Sequence, residues 1–259
     1  MSGTNEGVHS VAKIIAMVGQ KGGTGKTTTA IALAVEWVVR RRSVLLVDLD
    51  TQGSVLTWAD WAGERGAEHV PAVAALGAQL RQQLAPHLPG RDVVIVDCPP
   101  SHGERQRAAM MAADVALLPA GPDATEVWGL TTSADLVREA IDAKPQLRAA
   151  MLITRKDRRT ALGAQARQAL EALRLPVLDA ELSRRVTYPE SIAAGRGPTT
   201  YDPASVAARE VRRLANELEE LPAEVYALPR LRKIICFNSP IGKQAPKLRA
   251  RYRTITFES

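Results

Sequence analysis

Eight residues, Lys21-Gly22-Gly23-Thr24-Gly25-Lys26-Thr27-Thr28, constrain this chain more than any others. They follow a short apolar run, Ile14 to Val18, that ends in Gly19. They open a stretch from about Lys26 to Arg41 in which Ala30, Leu33, Ala34, Trp37 and Val38 fall on one helical face. A glycine-rich loop between a buried strand and a helix turns backbone N–H groups inward, and the helix N-terminus adds partial positive charge. Such a loop holds phosphate. Lys26 is placed to reach the β- and γ-phosphates of a nucleotide, and the Thr27 hydroxyl to bind Mg²⁺. A plain glycine turn leaves the Lys-Thr pair at its end unexplained.

The same rhythm runs on. Residues 43–48, 92–97, 115–119 and 147–153 read as buried strands, with a short strand near Val177. Helices are expected at about 126–143, 161–173 and 203–221. The strands are continuously apolar rather than alternating, which suits a parallel sheet covered on both faces. Strand and helix in alternation predict an α/β fold, a doubly wound, mostly parallel sheet with helices on both faces. Gly66–Pro71 and Leu88–Arg91 read as loops, and no internal repeat is visible.

At 259 residues one such domain is routine. The formal net charge is +6, but its distribution matters more than its size. Eight of the 34 basic residues and one of the 28 acidic ones lie beyond Pro229, which leaves 26 bases against 27 acids in the body. We therefore expect a domain over 1–222 and a basic, flexible tail over 223–259. That tail can attract a polyanion by charge alone, or simply be a solvated end. Aromatic residues make up 4% of the chain, too few for a platform that stacks single-stranded bases. Cys98 and Cys236 lack metal-ligand spacing and read as reduced thiols in a cytosol. The polar start shows no signal peptide, and no apolar run is long enough to cross a bilayer.

The loop departs from the common P-loop spacing. Gln20 stands where a glycine is usual, and Lys21 is added. In this it resembles the deviant P-loop of the ParA and MinD superfamily of ATPases. The resemblance implies ATP and Mg²⁺ as cofactors, and a homodimer with ATP sandwiched between subunits. In such a dimer Lys21 reaches across to the partner's phosphates. Val47-Asp48-Leu49-Asp50-Thr51-Gln52-Gly53 is similar to the family's Asp-x-Asp-Pro-Gln-Gly segment, with Thr51 where proline is usual. By that likeness Asp50 positions or activates the attacking water, and Asp48 supports the Mg²⁺ shell. Val94-Ile95-Val96-Asp97-Cys98-Pro99-Pro100 resembles the Walker B region, which makes Asp97 the residue that holds Mg²⁺ through water. The iron protein of nitrogenase shares the fold and uses interface cysteines, but Cys98 has no second cysteine near it and reads as packing.

Later segments resemble the ParA partition ATPases in particular. Thr154-Arg155-Lys156-Asp157-Arg158-Arg159-Thr160, Pro189-Glu190-Ser191 and Tyr201-Asp202-Pro203-Ala204-Ser205 carry this likeness, which spans residues 12–220. It implies a cytoplasmic, nucleoid-associated protein. Its ATP-bound dimer coats DNA without sequence preference, and a ParB-like or other cargo adaptor triggers hydrolysis, for plasmid or chromosome partition. Arg184, Arg185 and Arg196 are candidate DNA contacts, although Thr187 occupies the place where an arginine is expected. The tail segment Leu231–Phe237 mixes basic and apolar residues as a membrane-adsorbing helix does, but Pro229 and Pro240 bracket it, and stable anchoring needs more. Two alternatives remain: positioning of another cargo (division site, carboxysome or conjugation apparatus), and a metabolic ATP-dependent synthetase on the same fold.

Overall fold

The computed structural model describes residues 12–100, 103–122, 124–157 and 161–221. The lead-in over 1–10, the segment Arg158-Arg159-Thr160, the boundary at Pro222 and the basic tail with Cys236 lie outside the described residues.

Seven parallel strands form one sheet in the order β3-β2-β4-β1-β5-β6-β7. The central ones are the apolar runs of the sequence: β1 (Lys13–Met17), β2 (Val44–Asp48), β4 (Val93–Asp97) and β5 (Val115–Ala120). Every residue of β2, β4 and β5 is buried, as a strand covered on both faces must be. β3 (Ala72–Ala75) closes one edge; β6 (Arg148–Lys156) and β7 (Val177–Ser183) extend the other. The register aligns Met17 with Asp97, and Asp97 with Asp48. Three loops therefore leave the carboxyl ends of β1, β2 and β4 side by side, where open α/β sheets bind ligands.

Helix α1 (Lys26–Val39) is buried from Thr29 to Trp37, not on one face alone. It lies against the sheet and beneath α9 (Val206–Glu220), so residues expected to face water meet a second helix instead. Near the end of α9, Glu219 accepts from the Trp37 indole N–H (2.9 Å) and from Arg40 (3.1 Å). Glu217, two residues earlier, accepts from the backbone N–H groups of Asp179 and Ala180 (2.8 and 2.7 Å) and so satisfies the open side of edge strand β7. The other face of the sheet carries α4 (Glu104–Ala112), α5 (Ala124–Ala143) and α6 (Ala161–Glu171).

The structure adds elements where the sequence carries no assignment: α2 (Ser54–Glu64), β3, α3 (Leu80–Leu84), α4, α7 (Thr187–Ala193) and α8 (Pro198–Tyr201). Helix α2 buries Val55, Trp58 and Ala62 at helical spacing, a signal that was present in the sequence. Strand β3 is four half-exposed small residues and carries no such signal. Helix α9 starts at Val206 rather than Pro203, because the Ser205 hydroxyl caps it by accepting from Ala208 N–H at 3.1 Å. Among the described residues no helix is long and apolar enough to cross a membrane.

Candidate nucleotide-binding site

The loop from Gly19 to Gly25 wraps the start of α1. Gly25 takes φ +92°, a left-handed conformation that suits glycine, and α1 has no side-chain cap on its first N–H groups. The loop's carbonyls are held from outside. The Lys26 ammonium donates to Lys21 C=O (2.9 Å), Arg155 to Gly23 C=O (2.7 Å) and the Thr154 hydroxyl to Thr24 C=O (2.7 Å). With these carbonyls engaged, and the Gly19 and Gln20 N–H groups donating to Gln106 Oε1 and Ser133 Oγ, an anion is met by N–H groups further along the loop. Arg155 itself stands at φ +54°, an uncommon conformation for a residue with a side chain and one that recurs at ligand sites.

A cavity of about 1060 Å³ opens beside the loop, lined by Gly22, Gly23, Gly25, Lys26, Thr27 and Thr28. Asp50 and Cys98 lie on its wall, as do Arg184 and Arg185 from the β7–α7 turn. Lys26 is buried, and this desolvation lowers its pKa against the opposing pull of the Asp97 charge. Lys21 is exposed at the loop's outer end. Arg196 is exposed and is not on the cavity wall.

Three carboxylates stand at the strand ends with different surroundings. Asp97 is 1% exposed. Its Oδ2 accepts from the Thr27 hydroxyl at 2.6 Å, while its buried Oδ1 has no partner among the described residues. Burial, with the charges of Asp48 and Asp50, pushes its pKa up to about 7, although the Thr27 hydrogen bond and Lys26 pull the other way. A buried carboxylate with an orphaned oxygen beside a threonine hydroxyl fits a hydrated Mg²⁺, whose charge would offset the desolvation. Asp48 is employed differently. Its Oδ1 accepts from Asp50 N–H (2.9 Å) and its Oδ2 from Val55 and Leu56 N–H (3.0 and 3.4 Å). It anchors the loop carrying Asp50 and the start of α2. These bonds leave one lone pair on Oδ1 to serve the hydrated cation whose shell the resemblance implies for it. Asp50 is half-exposed and accepts from Gln52 N–H (3.0 Å). The Cys98 thiol is fully buried, and that burial raises its pKa well above the ordinary value, which disfavours a thiolate.

Sequence reasoning did not single out Thr154 and Arg155 as supports of the loop. Nor did it find Arg105 and Gln106, which sit on α4, an element it did not expect.

The profile of the CbiA family, the CobQ/CobB/MinD/ParA nucleotide binding domain, matches residues 15–199. This chain belongs to that family. Its likeness to Soj, the chromosome-partitioning ATPase of Thermus thermophilus, is 33% identity over 79% of this chain and 94% of that one. Maintenance of carboxysome distribution protein A from Halothiobacillus neapolitanus is 31% identical over 70% of this chain and 84% of its own length. Among solved structures, cobyrinic acid a,c-diamide synthase from Mycobacterium smegmatis, with an ATP analogue and magnesium bound, superposes with a TM-score of 0.68 at 24% identity. The two chains are covered to 81% and 94%. The fold and the ParA/MinD-type ATPase character follow from these matches.

Proposed function

We propose that this chain is a Mg²⁺-dependent ATPase that dimerises around ATP, binds DNA non-specifically in that state and positions a cargo with a partner protein. The observation that carries the reading is the split between the two loop lysines. Lys26 is buried in the wall of its own cavity, whereas Lys21 is exposed at the outer end of the same loop. A lysine exposed on the phosphate loop lies on the side from which a second subunit would approach.

Within one subunit, the loop N–H groups and Lys26 bind the β- and γ-phosphates. Thr27 and Asp97 would hold Mg²⁺, which would supply charge neutralisation for the phosphates, and Asp48 holds the neighbouring loop in place. Asp50 orients a water for in-line attack on the γ-phosphorus, as the bond to the bridging oxygen breaks to release ADP and phosphate. Such transfer needs positioning and charge stabilisation more than covalent help. Arg184 and Arg185, both exposed, offer phosphate contacts to DNA. The Soj likeness supports partition, and the likeness to the carboxysome distribution protein supports cargo positioning by the same machine.

DNA co-sedimentation of the wild type and Lys21→Ala, each without nucleotide, with ADP, and with ATP and Mg²⁺, tests this. The wild type is expected to bind DNA only with ATP, and the variant not at all. Equal binding of both proteins in every state would sink the dimer switch.

A further inference from the structure

Beyond the last paired residues of β1 and β4, Met17 and Asp97, the two strands part around the phosphate loop. The fork is filled by a side chain. Gln106, 1% exposed on the first turn of α4, uses its amide as a strand residue uses its backbone. Its Oε1 accepts from Gly19 N–H (3.3 Å), and its Nε2 donates to Gly19 C=O (3.0 Å) and Pro99 C=O (2.7 Å). The phosphate loop thus leaves β1 at a distance from the Asp97 strand end that one amide sets.

The preceding residue acts on the third strand end. Arg105 donates from Nη1 to Leu49 C=O at 2.6 Å. Leu49 N–H already donates to Asp97 C=O (3.0 Å), and the next amide, Asp50 N–H, donates to Asp48 (2.9 Å). The peptide unit between Leu49 and Asp50 is therefore held on its oxygen by Arg105 and on its nitrogen by Asp48. Its plane decides where the Asp50 side chain departs. In-line attack tolerates little misplacement, and an error of about 1 Å costs about a hundredfold in rate.

We infer that Arg105 and Gln106 are positioning residues for the phosphoryl-transfer step, Arg105 by orienting Asp50 and Gln106 by setting the phosphate loop against Asp97. Because they are consecutive on one helical turn, a single rigid element registers both loops. The inference rests on the reading of this site as an ATPase.

The test uses the full-length chain and three variants, Arg105→Met, Arg105→Lys and Gln106→Leu. Affinity is read with a fluorescent ATP analogue, hydrolysis by phosphate release over a range of ATP, and folding by thermal melting. Arg105→Met is expected to bind ATP within about threefold of wild type and to lose about tenfold to a hundredfold in kcat, the worth of a hydrogen bond from a charged donor. Arg105→Lys, which keeps a cationic donor, recovers most of that loss. Gln106→Leu raises KM about tenfold, with a smaller effect on kcat. If the wild type hydrolyses ATP and Arg105→Met does so equally well, the positioning role of Arg105 is overturned. It is also overturned if the methionine variant loses affinity, melting temperature and rate together and lysine restores none of them. If Gln106→Leu folds with an unchanged KM, or melts too early to be assayed, the Gln106 role is withdrawn and the Arg105 pair decides the rest. A wild type that binds ATP without any turnover instead overturns the ATPase reading, and this inference falls with it.

Discussion

The Thr27 hydroxyl donates to one oxygen of Asp97 across 2.6 Å, joining the first turn of α1 to the end of β4. The second oxygen is buried without a partner among the described residues. An unsatisfied carboxylate oxygen in such a place is costly, and a cation is the usual relief.

Asp97→Asn is therefore expected to uncouple nucleotide affinity from Mg²⁺. The wild type should bind a fluorescent ATP analogue more tightly with Mg²⁺ than with chelator, and the variant about equally in both. A variant with the wild-type response to Mg²⁺ would remove Asp97 from the metal site.

Asp48 yields a stability prediction instead. It caps α2 from a neighbouring strand, since Gly53 offers α2 no side-chain cap. Replacing it with alanine strands three backbone donors and should cost about 1–3 kcal/mol for the loss of charged acceptors. Chemical denaturation measures this directly. Hydrogen exchange at Val55 should quicken in the variant, and unchanged exchange there would show that the cap contributes nothing.

Glu181 sets an acid limit on stability. Its carboxylate is 14% exposed and accepts from Lys156 at 2.7 Å and Arg167 at 3.3 Å. Burial alone would raise its pKa, but these two cations outweigh it and hold the group below 4.5. The unfolded chain then takes up the proton more readily than the folded one. The stability that Glu181 contributes is full above its ordinary value of 4.5 and is lost as pH falls through the folded value. Glu181→Gln should be about 1–3 kcal/mol less stable at neutral pH. That gap should close in acid, and a gap independent of pH would rule out the charge as its origin.

Gly195 marks a tight contact between α7 and α2. It sits at φ +68°, and a Cβ there would lie 2.6 Å from the Cα of Ala62. The atoms it would meet, Ala62 Cα and N, belong to backbone and cannot rotate away. Gly195→Ala should cost about 2–4 kcal/mol, from left-handed strain and overpacking together. A melting temperature within a degree of wild type would contradict that packing.

The parts of this fold that were legible in sequence are those whose signal is local. The strands β2, β4 and β5 are buried throughout, and β1 over its last three residues, so they read as apolar runs. The phosphate loop is contiguous, and its glycines and lysines carry their chemistry in the order of the chain. What escaped depends on distant partners. Gln106 is an unremarkable polar residue until Gly19, 87 positions earlier, lies beside it. Asp48 and Asp97 look alike at strand ends, yet one is met by three backbone N–H groups and the other by a hydroxyl alone. Spacing within a strand does not encode that difference; the loop turning back over Asp48 does.

The arginines at the cavity mouth give the last prediction. Arg184 and Arg185 follow β7 and are both exposed, beside Val186, which is 72% exposed. Neither guanidinium is buried, so their worth to a polyanion is the release of counterions rather than a specific fit. Each phosphate contact that is lost should lower the slope of log affinity against log salt by about 1. Arg184→Ala and Arg185→Ala together should therefore flatten the slope by about 2 and weaken DNA binding similarly for all sequences. Filter binding across a salt series, with ATP and Mg²⁺ present, measures both quantities. Arg196, away from the cavity wall, serves as the comparison: if Arg196→Ala flattens the slope and the Arg184 and Arg185 variants do not, the DNA surface lies on the α7–α8 turn rather than at the cavity mouth.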